Sequence, residues 1–362
     1  SVGMRDGAKA ARVGVATVSR ALNFPEKVTR ATRDRVLQIA NEMGYTPNAS
    51  ARTLRTQRSR VIGVIVPTLV NPVFAECLEG IASAAAAVGY AIQPFTTEYQ
   101  IEREDRAVNL LLAGNVDGVI LVVSNPGESS ALQRLASASL PYVLAYNKNA
   151  DHPCVSVDNE RAVAELIAHL TSLGHRRIAM ISGLLHTSDR AQQRCRGYLS
   201  GMQNAGLEAR AIIEVPFVEN AIQDIAAQLR GPEDERPTAL VCSNDLLAIR
   251  SIRAAHLAGL DVPRQLSVTG FDGIALGEDL TPMLSTIAQP NADIGRQSVE
   301  LLAKAMGSNS VLTAQSSITL AHHFRKGESC AQAPPGSKKA MDREYPRDAC
   351  PDFFRRFLIS DF

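Results

Sequence analysis

At 362 residues the chain is longer than one small core requires and points to two or three folding units. Its 45% hydrophobic and 21% charged content is ordinary for a globular protein. The longest apolar runs, 61–67 and 116–123, fall far short of the roughly 18–20 residues of a membrane span, so no membrane partner is expected. The net charge of +1 conceals an asymmetry. Within residues 1–60, 12 bases against 4 acids give +8, which leaves −7 for the rest. A basic head on an acidic body is the pattern of a protein that meets nucleic acid with one end.

The six cysteines (Cys77, Cys154, Cys195, Cys242, Cys330, Cys350) are scattered without a C-x-x-C pair and read as free thiols or small apolar residues. Neither a disulfide nor a metal site is expected. Met4–Asn23 alternates charged and small residues, unlike a secretory signal, so the expected location is cytoplasmic.

In chain order, Asp6–Ala11 reads as a short helix, Val13-Gly14 as a turn and Val15–Asn23 as a second helix. Thr29 is placed to cap a third, 31–43, stopped by Gly44 and Pro47. Residues 1–46 thus form a small all-α domain, and 47–59 a linker or hinge helix. From Val61 the texture changes to apolar strands alternating with amphipathic helices. Strand starts are expected at Val61, Tyr90, Asp117, Pro141, Arg177, Ile212, Thr238 and Ser267, at the spacing of βα units in a parallel sheet. Glycines 89, 114, 174, 206 and 259 end the helices. Two runs of four units predict two doubly wound lobes within 60–330, with a ligand site between them at the strand ends. Residues 286–321, with a helix near 293–305 and a strand near 317–320, return to complete the lobes. Residues 331–362, with Pro334-Pro335-Gly336 and no sustained period, are expected to form a disordered tail.

On the second helix Val18, Ala21 and Leu22 face a core while Ala16, Thr17 and Arg20 face outward. Short side chains followed by a guanidinium suit entry into a major groove, where Arg can take a guanine edge with two hydrogen bonds. Thr17, Ser19 and Asn23 suit phosphate contacts. Taken alone, the segment also fits any small polar helix.

Ala11–Asn23, with Thr32–Val36 and Gly44-Tyr45-Thr46-Pro47-Asn48, closely resembles the head of the lactose-repressor (LacI/GalR) family, whose recognition helix has the pattern VATVSRALN. The resemblance extends over about 4–329 through Ile62–Pro67, Asn71–Phe74, Val116–Ile120, Val157–Asn159, Gly174–Ala179 and Gly270–Asp272. It implies a helix-turn-helix head and an α/β body like that of periplasmic binding proteins. The implied partners are double-stranded operator DNA, a small effector (sugar, polyol or sugar acid) and a second copy in a homodimer. Base contacts fall to Val15, Ala16 and Arg20. By the same resemblance Thr17, Ser19, Asn23, Thr29 and Tyr45 support phosphate contacts or the packing around them, Asn48 at the start of the hinge stretch joins the DNA-binding set, and Leu54 matches the hinge-helix wedge in the minor groove. The effector set is Phe74, Ser124, Asn159, Ser188, Arg190, Arg194, Phe217, Asn244, Asp272 and Gln289. Its mix of Arg, Asp, amides and aromatic faces suits a polyhydroxylated ligand. The arginine pair also fits a carboxylate or phosphate.

Gly7 departs from the pattern, since relatives place valine there. A lost buried valine costs about 1–3 kcal/mol and a mid-helix glycine about 1 more. Gly14 replaces the usual serine cap. A sugar-binding protein with an impaired DNA-binding head is therefore the alternative reading. No phosphate-loop, dinucleotide, nucleophile-elbow or H-E-x-x-H motif occurs, so neither an enzyme nor a cofactor is expected. His175 reads as structural.

Overall fold

The computed structural model describes residues 3–45, 58–216, 221–308 and 310–335. The chain divides into two compact units, Ser1–Ser59 and Arg60–Phe362.

The first unit holds α1 (Met4–Ala11), α2 (Val15–Asn23) and α3 (Arg30–Glu42). Its buried cluster is Ala8, Ala11, Val18, Ala21 and Val36, with Met4, Val13, Leu22, Val28 and Ile39 around it. Three alanines among five buried residues leave little apolar area, so this core contributes only a few kcal/mol. Thr29 caps α3 as expected, its Oγ1 accepting from the Thr32 amide at 3.3 Å. Gly14 gives α2 no side-chain cap. Gly7 is buried, yet a Cβ placed on it would have nothing within 4 Å.

The second unit is two lobes. The first runs β1 (Val61–Val66), α4 (Pro72–Ala87), β2 (Ala91–Thr96), α5 (Ile101–Ala113), β3 (Gly118–Leu121), α6 (Ser130–Ser137), β4 (Tyr142–Ala145) and β5 (Cys154–Val157). The second runs α7 (Asn159–Ser172), β6 (Ile178–Ser182), α8 (Asp189–Asn204), β7 (Ile213–Glu214), α9 (Ile222–Leu229) and β8 (Ala239–Cys242). It ends with α10 (Asp245–Leu257), β9 (Ser267–Asp272) and β10 (Ser285–Ala288). The chain then returns through α11 (Asn291–Ser308) and β11 (Ile318–Leu320) to the first lobe, and through β12 (His323–Arg325) to the second.

The sheets are β11-β5-β4-β3-β1-β2 and β12-β10-β9-β8-β6-β7, parallel throughout except where β12 runs antiparallel to β10. Central strands such as β3, β6 and β8 are buried along their whole length, which is why they read as largely apolar runs rather than alternating ones. The chain therefore passes between lobes three times, at 157–159, 288–291 and 320–323.

Each lobe is tied by one close helix pair. Between α4 and α11, a Cβ on Gly80 would overlap the Ala292 carbonyl and one on Gly295 the Cys77 carbonyl. Between α7 and α8, a Cβ on Gly197 would overlap the Glu160 carbonyl. Hydrogen at these positions lets the backbones touch.

Six of the eight strand starts lie one residue downstream of the expected position, and Val61 and Ser267 agree. β5 was not anticipated: it follows β4 without an intervening helix and breaks the βα spacing. At Gly114 the backbone stays right-handed, and Asn115 takes the left-handed turn instead, at φ 52°. Cys77, Cys154, Cys195 and Cys242 are buried free thiols. The body also continues past the expected boundary at 330. His175 Nε2 meets the Ala331 carbonyl at 2.9 Å, and the Ala333 amide donates to Leu173 O at 2.9 Å. Residues 336–362 lie outside the described residues. Among the described residues no helix is long and apolar enough to cross a membrane, and no three His, Cys, Asp or Glu cluster to hold a metal.

Candidate effector cleft and nucleic-acid interface

In the first unit α2 separates its faces cleanly. Val18 and Ala21 are buried; Val15, Ala16 and Arg20 are exposed; Thr17 and Ser19 are half-buried. Val15 is 44% exposed, unusual for a branched apolar side chain in so small a domain, and it leaves a methyl-rich knob beside Ala16 at the helix N-terminus. Among the described residues Arg20 has no ion-pair partner, so its guanidinium is available to an external acceptor. Asn23 Nδ2 donates to Ser19 O at 2.7 Å, and Thr29, exposed, shares a hydrogen bond with Thr32 Oγ1 at 2.9 Å. Asn48 and Leu54 lie outside the described residues.

In the second unit a cavity of about 300 Å³ opens between the lobes at the C-terminal ends of the strands. Of the ten residues expected there, Phe74, Ser188, Arg190, Arg194, Asn244, Asp272 and Gln289 line it. Phe217 lies outside the described residues. Ser124 and Asn159 do not line it, and the reason is visible. Ser124 is captured by the buried Glu104, whose Oε1 accepts from its amide at 2.8 Å and its hydroxyl at 2.7 Å. Asn159 stands behind Arg194, accepting from its Nε at 2.9 Å and donating to Gln193 Oε1 at 2.9 Å. Sequence reasoning missed Asn71, Tyr99, Tyr146 and Ser243 among the lining residues.

At the floor, Arg194 on α8 meets Asp272 at the end of β9, Nη1 to Oδ1 at 3.4 Å; both are buried. Arg194 also donates to the Ser243 carbonyl and lies over the Phe271 ring, 3.7 Å from its centroid. Asp272 accepts from Gln289 Nε2 at 2.8 Å and, across the lobes, from Asn71 Nδ2 at 3.5 Å. It sits at φ 118°, a conformation rare for a side-chain-bearing residue and held here by surrounding packing. Burial raises its pKa to about 6 against the pull of Arg194. Behind it, Asp245 is pushed to about 8 by burial and then by the charge of Asp272.

The wall carries Arg190. Its Nη1 donates to the Val123 carbonyl at 3.0 Å and to Asp189 Oδ1 at 2.9 Å, while its Nη2 is buried with no hydrogen-bond partner among the described residues. An orphaned guanidinium nitrogen in a lined cavity is a donor waiting for an acceptor. Ser188 and Asn244 cap α8 and α10, accepting from the Ala191 amide at 3.3 Å and the Leu247 amide at 2.8 Å. Phe74 and Tyr146 pack edge to face at 5.7 Å, and the Tyr146 hydroxyl donates to Val73 O at 3.0 Å. Glu76 ties the lobes from outside, taking the Ala275 amide at 3.0 Å and Asn291 Nδ2 at 2.8 Å. Aromatic and aliphatic walls with converging charged and amide groups are how proteins hold small polar ligands.

Comparison with known proteins agrees with this geometry. Residues 3–48 match the model of bacterial regulatory proteins of the lacI family, and 167–330 that of a periplasmic binding protein-like domain. Catabolite control protein A of Priestia megaterium is 33% identical over 316 residues, 86% of this chain and 94% of that protein. The HTH-type transcriptional repressor CytR of Escherichia coli (strain K12) is 34% identical over 308 residues, 84% and 89% of the two chains. The lac repressor dimer bound to operator and the anti-inducer ONPF superimposes at a TM-score of 0.80 with 26% identity, covering 91% of this chain and 99% of that one. A CelR–cellobiose complex matches at 0.66 with 25% identity, covering 91% and 100%. These relatives are transcriptional regulators rather than enzymes. A helical head with an exposed recognition face, a two-lobed body and this shared sequence lead to one conclusion: the chain belongs to the LacI family of DNA-binding bacterial transcriptional regulators.

Proposed function

We propose that this protein is a repressor that binds a near-palindromic operator as a homodimer, and that a small carbohydrate in the cleft sets its operator affinity. The observation that carries the effector reading is the cleft itself. A buried Arg194–Asp272 pair and an unsatisfied Arg190 Nη2 converge on about 300 Å³ between two lobes. Groups that donate and accept side by side match hydroxyls, which do both. The relative solved with cellobiose supports the class of ligand. Arg20, Val15 and Ala16 would read base edges, with Thr17, Ser19, Asn23, Thr29 and Asn48 on phosphates and Leu54 as the hinge wedge. The lobes are joined by three short crossovers, so a ligand that favours one lobe angle couples to the heads; about 1–3 kcal/mol is typical of such linkage.

The test is a thermal-shift panel of sugars, polyols, sugar acids and nucleobases, followed by fluorescence anisotropy on operator-length DNA with and without the hit. A ligand at 100 times its Kd should stabilise the body by about 2.7 kcal/mol. A carbohydrate that shifts melting and alters DNA affinity is the expected result; a hit confined to nucleobases would overturn the effector class. The open space at Gly7 favours a second reading, a sugar-binding protein with a weakened head. Ligand binding without operator binding at any salt concentration would select it.

A further inference from the structure

Among the described residues, both arginines that line the cleft have a carboxylate: Arg194 has Asp272 at 3.4 Å and Arg190 has Asp189 at 2.9 Å. The lining Glu98 is itself paired with Arg103 at 2.7 Å. Asp189 is the first residue of α8, directly after its Ser188 cap, and it is fixed from all sides. Its Oδ1 accepts from Asn147 Nδ2 at 2.7 Å as well as from Arg190. Its Oδ2 accepts from the Lys148 amide at 3.4 Å and from Gln193 Nε2 at 3.3 Å. Burial pushes this carboxyl up, opposed first by Arg190. Every group bonded to it is a donor, as an ionised carboxylate requires. Two further buried acids, Glu104 and Asp245, stand close behind. Among the described residues, an anion entering this cleft finds hydrogen-bond donors and no uncompensated positive charge.

We infer that Asp189 is a specificity-determining residue: by neutralising the second cleft guanidinium, it restricts the effector to an uncharged polyhydroxylated molecule and turns away carboxylates and phosphates. The unpartnered Arg190 Nη2 then takes a hydroxyl or ring oxygen as an acceptor, with its charge already balanced by Asp189. Asp272 Oδ2, held only by the long 3.5 Å bond from Asn71 Nδ2 among the hydrogen bonds described above, accepts a hydrogen bond from a ligand hydroxyl. Desolvating a full negative charge beside Asp189 and Asp272 would cost more than the single free donor returns. The inference rests on the carbohydrate reading above and narrows it.

Matched sets test it on the intact protein: glucose, gluconate and glucose 6-phosphate; cellobiose and cellobionate; ribose and ribose 5-phosphate. Calorimetric titration of a neutral member that binds is expected to give a Kd at least about tenfold tighter than its acid or phosphate. Asp189→Asn should shrink that gap to within about threefold by admitting the anion. If Asp189→Asn melts too early for titration, salt decides on the wild type: a neutral ligand's Kd stays level between about 50 and 500 mM NaCl, whereas an anion held by free guanidinium charge weakens. An acid or phosphate that binds as tightly as its neutral parent overturns the inference and leaves the carbohydrate reading intact. Absence of binding by every member overturns both.

Discussion

The two units treat glycine in opposite ways. In the body, Gly80, Gly197 and Gly295 sit where a methyl group would run into another helix's backbone, so each marks a contact packed to its limit. In the head, Gly7 is buried beside a core built largely of alanine and has empty space where a side chain would go. The body is packed to its limit at these contacts. The head is under-packed, and any DNA it binds would supply part of the free energy that orders it.

The largest effect expected from breaking this contrast is at Asp272. Asp272→Ala leaves Arg194 buried without its carboxylate, which should cost the body about 3–5 kcal/mol and abolish ligand-induced melting shifts. Specific DNA binding measured below the melting transition should survive, whereas its loss together with ligand binding would mean general unfolding. Gly295→Val forces α11 off α4 and should cost about 3 kcal/mol, read as a lowered melting temperature. A melting temperature within a degree of wild type would show that contact to be loose. Arg20→Ala should lose about 1–3 kcal/mol of specific operator affinity and leave calorimetric ligand binding untouched.

Acidity gives a milder perturbation. Burial raises Asp272 to about 6 and Asp245 to about 8 in the folded body, above their unfolded values. Such groups contribute stability that is complete below the unfolded pKa and is lost as pH rises through the folded one. Melting temperature should therefore fall between about pH 4 and pH 8, and Asp245→Asn should flatten that slope; an unchanged slope would remove Asp245 as its source. The smallest change is Gly7→Ala. It should stabilise α1 by about 1 kcal/mol, seen as roughly fivefold slower hydrogen exchange of head amides in the full chain.

What the sequence discloses follows the same division. Strand starts are legible because buried parallel strands are apolar blocks with a steady spacing, and β5 escapes because it breaks that spacing. The cleft residues on α8 and β9 are legible through the family resemblance; their residue types then fit a site, since Arg and Asp are rarely buried unless paired. Ser124 enters the expected cleft set through the resemblance alone, and its hydrogen-bond partner Glu104 lies on α5, where an acid reads as a solvated helix face. Tyr146 is invisible for the complementary reason: a tyrosine at a strand end reads as core, and only the fold turns it toward Phe74 and the cavity.

The three passages of the chain between lobes also govern how the protein is made. Ile318 on β11 pairs with Val155 on β5, and α11 packs on α4, so the first lobe has no finished edge until nearly the whole body has been synthesised. A nascent chain holding residues 60–300 carries two sheets that each lack one edge strand, β11 or β12, the condition that invites chaperone capture and aggregation. A chain cut anywhere before 320 should therefore fail as a whole body rather than leave behind one intact lobe.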